Sequence, residues 1–185
     1  MTGSPPEQPP PHEGKTGPSL ILVGAPGAGK TTVGRRCARQ LDVDFADSDL
    51  LVEELAGKSV ADIFIEDGEP AFRALERDVI AQALRDADGV LALGGGAVLD
   101  ESTRALLAGR PVVWLKVGVG EAAKRVGLNA SRPLLVGNVR GRLMELLDAR
   151  TPLYAEVSDA VVDTDGRPLD DVAADVLAAV SGIPS

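Results

Sequence analysis

The sequence contains only one cysteine and one histidine among its 185 residues. The lone Cys37 cannot form an internal disulfide, so we expect a reducing, cytoplasmic environment. Cys37 falls inside a predicted helix, which favours a buried, small apolar side chain over a reactive thiol. His12 lies in a proline-rich head, and the sequence therefore argues against histidine general-base chemistry and against histidine-rich metal sites.

Long apolar runs and an excess of basic charge are also lacking. No apolar run approaches the length of a membrane span and no segment resembles a signal peptide, so we expect no membrane partner. Acidic residues outnumber basic ones by 28 to 19, which gives a net charge of −9. Binding to nucleic acid normally needs a basic face, so we expect no nucleic-acid partner. A local cluster of arginines or lysines can still hold an anionic small molecule.

The length and the hydrophobic content of 44% are typical of one globular domain. Residues 1–18 hold six of the thirteen prolines and almost no large apolar side chains. This composition predicts a disordered tail outside the fold, with a proline-recognition motif as the alternative. We therefore predict a single domain over residues 19–185.

The most informative stretch is the glycine-rich segment at residues 24–31, which reads Gly-Ala-Pro-Gly-Ala-Gly-Lys-Thr. It lies between an apolar run and a helical pattern, which is the setting required for the phosphate-binding motif G-x-x-x-x-G-K-[ST]. Glycines let backbone N–H groups point inward at a polyphosphate, and the following helix adds further donors. Lys30 can reach the β- and γ-phosphates, and the Thr31 hydroxyl can hold Mg²⁺. An ordinary glycine-rich turn would not need Gly-Lys-Thr, so we predict that the protein binds ATP or GTP.

A second group of candidate residues follows the next apolar segment. Asp47, Ser48 and Asp49 end a short strand predicted for residues 43–49. Ligands of open α/β sheets gather at the carboxyl ends of strands, so both aspartates are expected to point toward the phosphate loop. The alternative is that Ser48 or Asp49 simply caps the next helix. Two aspartates exceed what a cap requires, and we favour a functional role.

Two further features lie in the middle of the chain. Arg73 and Glu76 are three residues apart near the start of a helix predicted for residues 70–86, and an exposed ion pair would explain them by itself. Gly94, Gly95 and Gly96 follow a buried strand predicted at 89–93. Consecutive glycines are costly in chain entropy and are expected where a ligand approaches the backbone closely. We predict a second ligand-contact loop there.

Arginines mark the C-terminal third of the chain. Arg125 and Arg132 frame a segment of small and polar residues, which is typical of a lid that closes over a transferring phosphate. We place this lid at about residues 124–136, and the alternative is a surface loop with two solvated arginines. A long helix from residue 139 to about 149 leads to Arg150. A last strand at 160–163 and a helix at 169–180 complete the pattern.

With these residues assembled, the chain resembles the shikimate kinases over residues 20–180. The phosphate loop alone matches any P-loop kinase, and the specificity lies in five further motifs in order. These are Asp-Ser-Asp at 47–49, Phe-Arg-Ala-Leu-Glu at 72–76, Gly-Gly-Gly-Ala-Val at 94–98, Arg-Pro-Leu-Leu at 132–135 and Arg-Thr-Pro-Leu-Tyr at 150–154. The resemblance implies a three-layer α/β/α fold of the P-loop kinase type, with a five-stranded parallel sheet and the lid segment. It also implies a small helical subdomain, at about residues 48–86, that binds the substrate.

The resemblance also implies an activity and a set of site residues. The family transfers the γ-phosphate of ATP, with Mg²⁺, to the 3-hydroxyl of shikimate in the chorismate route to aromatic amino acids. A cytoplasmic monomer is the expected form. By position, the implied shikimate-binding residues are Asp49, Arg73, Gly94, Gly95, Gly96, Arg132 and Arg150. The implied nucleotide-binding residues are Gly27, Ala28, Gly29, Lys30, Thr31, Thr32, Arg125, Arg132, Arg167 and Pro168. Thr31 and Asp47 would hold Mg²⁺, and Lys30, Asp49 and Arg132 would be catalytic.

These implied roles are chemically reasonable. Arg73 and Arg150 can form charge-assisted hydrogen bonds to the carboxylate of shikimate, which explains arginine rather than lysine. Asp49 is an acceptor suited to ring hydroxyls, and it either orients or deprotonates the attacking one. Glu76 would then aim the Arg73 guanidinium.

Two other functions remain open on the sequence alone. One is another P-loop small-molecule kinase, of the gluconate type or a nucleotide kinase. A neutral polyol or nucleotide acceptor would not require the arginine pair. The other is a non-catalytic nucleotide-binding module, although Lys30, Thr31, Asp47, Asp49 and Arg132 are all intact.

Overall fold

Five short strands form one parallel sheet in the computed structural model, which describes residues 17–127 and 138–183. The strands are β1 (Leu20–Val23), β2 (Phe45–Asp47), β3 (Val90–Ala92), β4 (Val112–Lys116) and β5 (Ala160–Asp163). They lie side by side in the order β2-β3-β1-β4-β5. Helices lie on both sides of the sheet, and the predicted three-layer architecture with five parallel strands is confirmed.

Eight helices in the described ranges connect and cover these strands. They are α1 (Lys30–Leu41), α2 (Ser48–Ala56), α3 (Val60–Glu66), α4 (Glu69–Asp86), α5 (Glu101–Leu107), α6 (Val119–Gly127), α7 (Val139–Val157) and α8 (Leu169–Ser181). A single 3-10 turn, Ala97–Leu99, follows β3. Within these ranges no helix is both long and apolar enough to span a membrane.

The central strands are continuous apolar runs because both of their faces are covered. Every residue of Leu20–Val23 is at most 1% exposed, and β3 is buried along its whole length. Such uninterrupted burial is expected of parallel strands between two helical layers. The register pairs Leu22 with both Ala92 and Val113, so the carboxyl ends of β1 and β3 lie next to each other. The loops that leave these two strands are therefore neighbours.

A second, smaller apolar core lies apart from the sheet. Val52, Ile63, Phe72 and Val79 are buried together and join α2, α3 and α4. The rings of Phe64 and Phe72 are 4.7 Å apart at their centroids. This cluster occupies the region predicted as the helical subdomain at about residues 48–86, and its substrate-binding role stays a prediction.

The structure corrects the predicted end of one helix. The helix predicted from the sequence ends at about Ala149, three residues before Pro152, which lacks a backbone N–H donor. In the structure α7 continues through Pro152 to Val157. Tyr154, which is 1% exposed, belongs to the main core, and its burial accounts for the continued helix despite the lost hydrogen bond.

Three other predictions concern Cys37, the N-terminal tail and the lid. Cys37 is fully buried, as predicted, and burial raises the pKa of its thiol to about 11. The predicted tail at residues 1–18 lies outside the described residues except for residues 17 and 18, and Pro18 is buried. Most of the predicted lid, including Arg132, also lies outside them.

Candidate active site

The predicted phosphate loop occupies residues 24–29, between β1 and α1. Gly27 and Gly29 have φ angles of 83° and 88°, a left-handed conformation that side chains disfavour. The Lys30 ammonium donates hydrogen bonds to two carbonyl oxygens of the loop, at 2.8 and 3.1 Å. The curled backbone therefore leads directly into a helix N-terminus, with a lysine folded over it, which is an arrangement suited to an anionic phosphate chain.

The residues predicted to hold a metal ion meet beside this loop. The Thr31 hydroxyl, in the first turn of α1, donates a 2.7 Å hydrogen bond to Asp47 Oδ2 at the end of β2. Mg²⁺ prefers oxygen ligands and is commonly bound by one or two protein groups together with phosphate oxygens and water. A hydroxyl and a carboxylate in contact, next to a phosphate loop, fit that requirement.

The Asp-Ser-Asp motif divides between a strand and a helix. Asp47 is the N-cap of α2, and its Oδ1 accepts the backbone N–H of Asp49 at 3.0 Å. The alternative in which Ser48 or Asp49 caps the helix is therefore wrong in its choice of residue. Asp49 lies in the first turn of α2, and the capping role belongs to Asp47. Ser48 is fully buried.

A cavity of about 340 Å³ opens beside these aspartates. It is bounded by the phosphate loop and α1 on one side, by α2, α3 and α4 on another, and by α7 and the loop after β3. Its lining residues are Pro26, Thr31, Arg35, Asp47, Asp49, Leu50, Glu53, Val60, Phe64, Phe72, Arg73, Glu76, Gly95, Gly96, Leu146 and Arg150. An apolar wall with a few convergent charged groups is typical of a small-molecule site.

Arg73 and Glu76 form a largely buried pair rather than the exposed pair that their spacing suggested. Glu76 is 2% exposed, and its Oε2 accepts from Arg73 Nη1 at 2.6 Å. Burial raises the pKa of Glu76, and the Arg73 guanidinium opposes that rise. Within the described part of the chain, Arg73 Nε and Glu76 Oε1 are buried and have no hydrogen-bond partner. Unpaired polar atoms on two cavity residues are compatible with a polar ligand.

The three consecutive glycines make room for side chains of the site itself. A Cβ at Gly94 would lie 2.5 Å from Asp49 Oδ1 and 2.6 Å from Glu76 Oε1. A Cβ at Gly96 would strike the Arg73 guanidinium. Gly95 and Gly96 also line the cavity. The predicted ligand-contact role stays a prediction, and the structure adds a steric reason for glycine that the sequence could not supply.

Arg150 reaches the same cavity from the opposite side. It is 8% exposed and lies on α7, one turn before Tyr154. The Tyr154 hydroxyl donates to the Gly95 carbonyl oxygen at 2.6 Å. Burial raises the pKa of Tyr154 to about 12, with the Arg150 guanidinium opposing the rise through charge and hydrogen bonding. Arg73 and Arg150 therefore converge from two different helices on one space.

Among the residues predicted to bind the nucleotide, Arg125 contacts the phosphate loop directly. Arg125 donates to the Gly27 carbonyl oxygen at 3.0 Å and to the Thr164 carbonyl oxygen at 3.0 Å. The backbone N–H of Arg167 lies 3.5 Å from that same Thr164 oxygen, and Pro168 follows at the N-cap of α8. Ala28 is buried in the loop, and Thr32 is exposed on α1. Arg125 therefore lies against the loop, whereas Arg167 is connected to it through Thr164 and Arg125.

Several cavity residues were not predicted from the sequence. The apolar wall formed by Val60, Phe64 and Phe72 reads in the sequence only as helical core spacing. Arg35 lies one turn after Thr31 in α1, and that spacing was the available signal. Ser48 and Tyr154 are not among the lining residues. Both fall within the motifs quoted above, but the sequence gives no sign of the tertiary hydrogen bonds that they make.

Comparisons with known proteins agree on one family. A family model described as shikimate kinase matches residues 26–181. A shikimate kinase from Thermobifida fusca is 58% identical over 147 residues, covering 80% of this chain and 86% of that protein. The solved structure of a shikimate kinase from Acinetobacter baumannii in complex with shikimate has a TM-score of 0.83 at 39% identity, covering 88% of this chain and 92% of that one.

The fold is shared more widely than the sequence. A gluconokinase from Sinorhizobium meliloti has a TM-score of 0.54 at 20% identity, covering 90% of this chain and 93% of that one. At that identity the likeness concerns the fold alone.

Proposed function

This chain belongs to the shikimate kinase family, and from that membership we propose which of its residues carry out the reaction. The protein is an ATP-dependent kinase that uses Mg²⁺ and phosphorylates a hydroxyl group of shikimate. The reaction belongs to the shikimate pathway of aromatic amino acid biosynthesis. The gluconate-type alternative lacks comparable support, because the gluconokinase match is only 20% identical.

We propose that the cavity beside the phosphate loop binds shikimate. The observation that carries this proposal is that Arg73, Arg150 and Asp49 line one cavity that also contains Thr31. Two guanidinium groups suit a carboxylate, and a carboxylate acceptor suits ring hydroxyls. The proximity of Thr31 places this acceptor cavity directly beside the predicted phosphate-binding loop.

Phosphoryl transfer in this site depends mainly on positioning and charge. The attacking shikimate oxygen forms a bond to the γ-phosphorus as the bond between that phosphorus and the β,γ-bridging oxygen breaks, and ADP leaves. Asp49 accepts the hydrogen bond of the attacking hydroxyl and takes its proton if a base is required. Lys30 stabilises the negative charge on the β- and γ-phosphates. Arg132, outside the described residues, is assigned to the transferring phosphate from the family resemblance.

Thr31 and Asp47 are proposed to hold Mg²⁺. When bound, this ion neutralises charge on the β- and γ-phosphates. The contribution of the chain is to keep the Thr31 hydroxyl and the Asp47 carboxylate together, at the 2.7 Å separation described above. Asp47 is held in turn by the backbone N–H that it caps.

The remaining assignments follow from the same resemblance. Arg125, Arg167 and Pro168 border the adenine, and residues 124–136 act as the lid. The predicted domain limits, the monomeric state and the cytoplasmic location are part of the proposal. The single cysteine supports the cytoplasmic location. The net charge of −9 supports the lack of a nucleic-acid partner.

An ADP-release assay tests the acceptor. ATP and Mg²⁺ are supplied with shikimate, gluconate or a nucleoside monophosphate in separate reactions. We expect release that depends on shikimate, and release with another acceptor alone would overturn the proposal.

Arg150→Ala tests the carboxylate assignment. Because a hydrogen bond to a charged group is worth about 1.5–3 kcal/mol, the KM for shikimate should rise about 10-fold to 100-fold, with a much smaller change in the KM for ATP. Arg140→Ala, which removes an exposed arginine from the same helix, is the matched control. Equal effects of Arg150→Ala on both KM values would contradict the assignment.

A further inference from the structure

The turn formed by residues 94–96 is the point at which three parts of the site touch. A Cβ at Gly95 would lie 2.9 Å from Pro26 Cδ, so this glycine packs against the phosphate loop. The neighbouring glycines lie against Asp49 and Arg73, as described above. The turn is therefore packed between the phosphate loop on one side and Asp49 and Arg73 on the other. A shift of the turn would change the distance between the phosphate loop and these two side chains.

Two buried hydroxyl groups hold this turn from opposite directions. The backbone N–H of Gly94 donates to Ser48 Oγ at 2.8 Å, and Tyr154 donates to the Gly95 carbonyl oxygen at 2.6 Å. The partners are 46 and 59 residues apart in sequence, so these are tertiary contacts rather than local turn bonds. Ser48 is fully buried and Tyr154 is 1% exposed.

Each of these hydroxyls belongs to a helix that also carries a substrate residue. Ser48 immediately precedes Asp49 in α2. Tyr154 lies one turn after Arg150 in α7, and the guanidinium of Arg150 interacts with the tyrosine hydroxyl through charge and hydrogen bonding. The two hydrogen bonds therefore connect α2, the turn after β3, and α7, which are the three elements that bring Asp49, the glycines and Arg150 together.

We propose that Ser48 and Tyr154 are positioning residues for shikimate, which fix the 94–96 turn relative to Asp49 and Arg150. This inference rests on the proposed function of the cavity. Neither residue need touch the substrate. Each satisfies one backbone group of the turn, and a turn released from either bond can move away from the arrangement that the acceptor requires.

Tyr154 is suited to this task because its hydroxyl stays protonated. Like any tyrosine it is a hydrogen-bond donor at neutral pH, and burial, which raises its pKa to about 12, keeps it a donor at alkaline pH as well. Phenylalanine would fill the same space in the core but would leave the Gly95 carbonyl oxygen without this donor. The Tyr154 ring also lies 5.8 Å from the ring of Trp114, the only tryptophan in the chain, which provides a fluorescence reporter nearby.

The test compares Tyr154→Phe and Ser48→Ala with a matched control. In each variant we expect the KM for shikimate to rise about tenfold, with kcat and the KM for ATP within about threefold of the wild type. The dissociation constant for shikimate, measured by Trp114 fluorescence or calorimetry without nucleotide, should rise by a similar factor. Because both variants release one turn, the double variant should show less than the product of the two effects.

Ser19→Ala is the control. The Ser19 hydroxyl donates to the Gly89 carbonyl oxygen at 3.0 Å, so this variant removes the same kind of bond at the opposite end of β3. It should leave both KM values unchanged.

Three results would overturn the inference. One is a shikimate KM that stays within about twofold of the wild type in either folded variant. Another is an equal rise in the KM values for shikimate and ATP, which indicates a general loss of structure. The third is an effect of Ser19→Ala as large as that of the site variants. If Tyr154→Phe fails to fold, as judged by circular dichroism, Ser48→Ala decides the question by the same criteria. Failure of the wild-type enzyme to phosphorylate shikimate would overturn the proposed function, whereas wild-type turnover with unaffected variants would overturn only this inference.

Discussion

Replacing Glu76 with glutamine separates two effects of the Arg73–Glu76 pair. One is the effect of a buried charge on stability, and the other is the orientation of Arg73 toward the substrate. The change removes one negative charge from a side chain that is 2% exposed and keeps nearly the same volume. It also weakens the 2.6 Å hydrogen bond to Arg73 Nη1, which is charge-assisted in the wild type. We expect the variant to lose affinity for shikimate while it keeps or gains stability at neutral and alkaline pH.

The stability argument follows from the direction of the pKa shift. Burial raises the pKa of Glu76 above its ordinary value of 4.5, and the attraction of Arg73 only partly opposes that rise. A carboxyl whose folded-state pKa is raised contributes stability that is present below the unfolded pKa and is lost as the pH rises through the folded pKa. Each unit by which the pKa is raised corresponds to about 1.4 kcal/mol of this loss. Glutamine does not titrate, so the Glu76→Gln variant should gain stability relative to the wild type as the pH rises above 4.5.

Arg73 keeps other favourable interactions after this change. Its side chain is 21% exposed and keeps a contact with Glu69 Oε1 at 3.4 Å. Breaking a fully buried ion pair costs about 3–5 kcal/mol, but a guanidinium with access to water and a second carboxylate should lose much less. The main effect of the change is on the orientation of the Arg73 guanidinium. Weakening its hydrogen bond to residue 76 by about 1–1.5 kcal/mol should raise the KM for shikimate about tenfold.

Two measurements check this prediction. Urea unfolding of the wild type and the Glu76→Gln variant at about pH 5 and about pH 8 gives the difference in the free energy of unfolding at each pH. An ADP-release assay gives the KM for shikimate at saturating ATP. Glu69→Gln is the matched control, because Glu69 contacts the same arginine but is 51% exposed, and it should change neither quantity by much. A Glu76→Gln variant that loses stability relative to the wild type as the pH rises, or that keeps the wild-type KM for shikimate, would refute the reasoning.

Three other variants test the nucleotide side and the glycine turn. Lys30→Ala should reduce kcat by at least about 100-fold with an unchanged circular dichroism spectrum, and near-normal turnover would contradict its role. Asp47→Asn should raise the Mg²⁺ concentration needed for half-maximal activity by about 10-fold or more, which a magnesium titration at fixed ATP measures, and an unchanged requirement would remove Asp47 from the metal site. Gly96→Ala places a Cβ where the Arg73 guanidinium lies, so the guanidinium must move and the KM for shikimate should rise about tenfold. The control Gly120→Ala, where the added Cβ meets no side chain or other element within 4 Å beyond its own stretch of helix, should leave that KM unchanged.

Local sequence patterns predicted much of the fold. The strand predicted at residues 160–163 has those bounds in the structure, and α8 begins at the predicted Leu169. Each of these elements is an apolar pattern bounded by turn residues, and such signals need no knowledge of distant parts of the chain. The end of α7 was predicted wrongly because a local pattern does not show that Tyr154 is buried, and this burial outweighs the local effect of Pro152.

The phosphate loop, the order of the motifs and hence the family follow from the residue types alone, because they depend on short, fixed spacings. The burial of Glu76 and the space that the glycines leave for Asp49 and Arg73 are properties of the folded chain. The same holds for the two hydrogen bonds by which Ser48 and Tyr154 hold the turn. Each of these facts depends on contacts between elements far apart in the chain. Burial and hydrogen bonding across such distances arise only when the sheet brings the carboxyl ends of β1, β2 and β3 to the same edge.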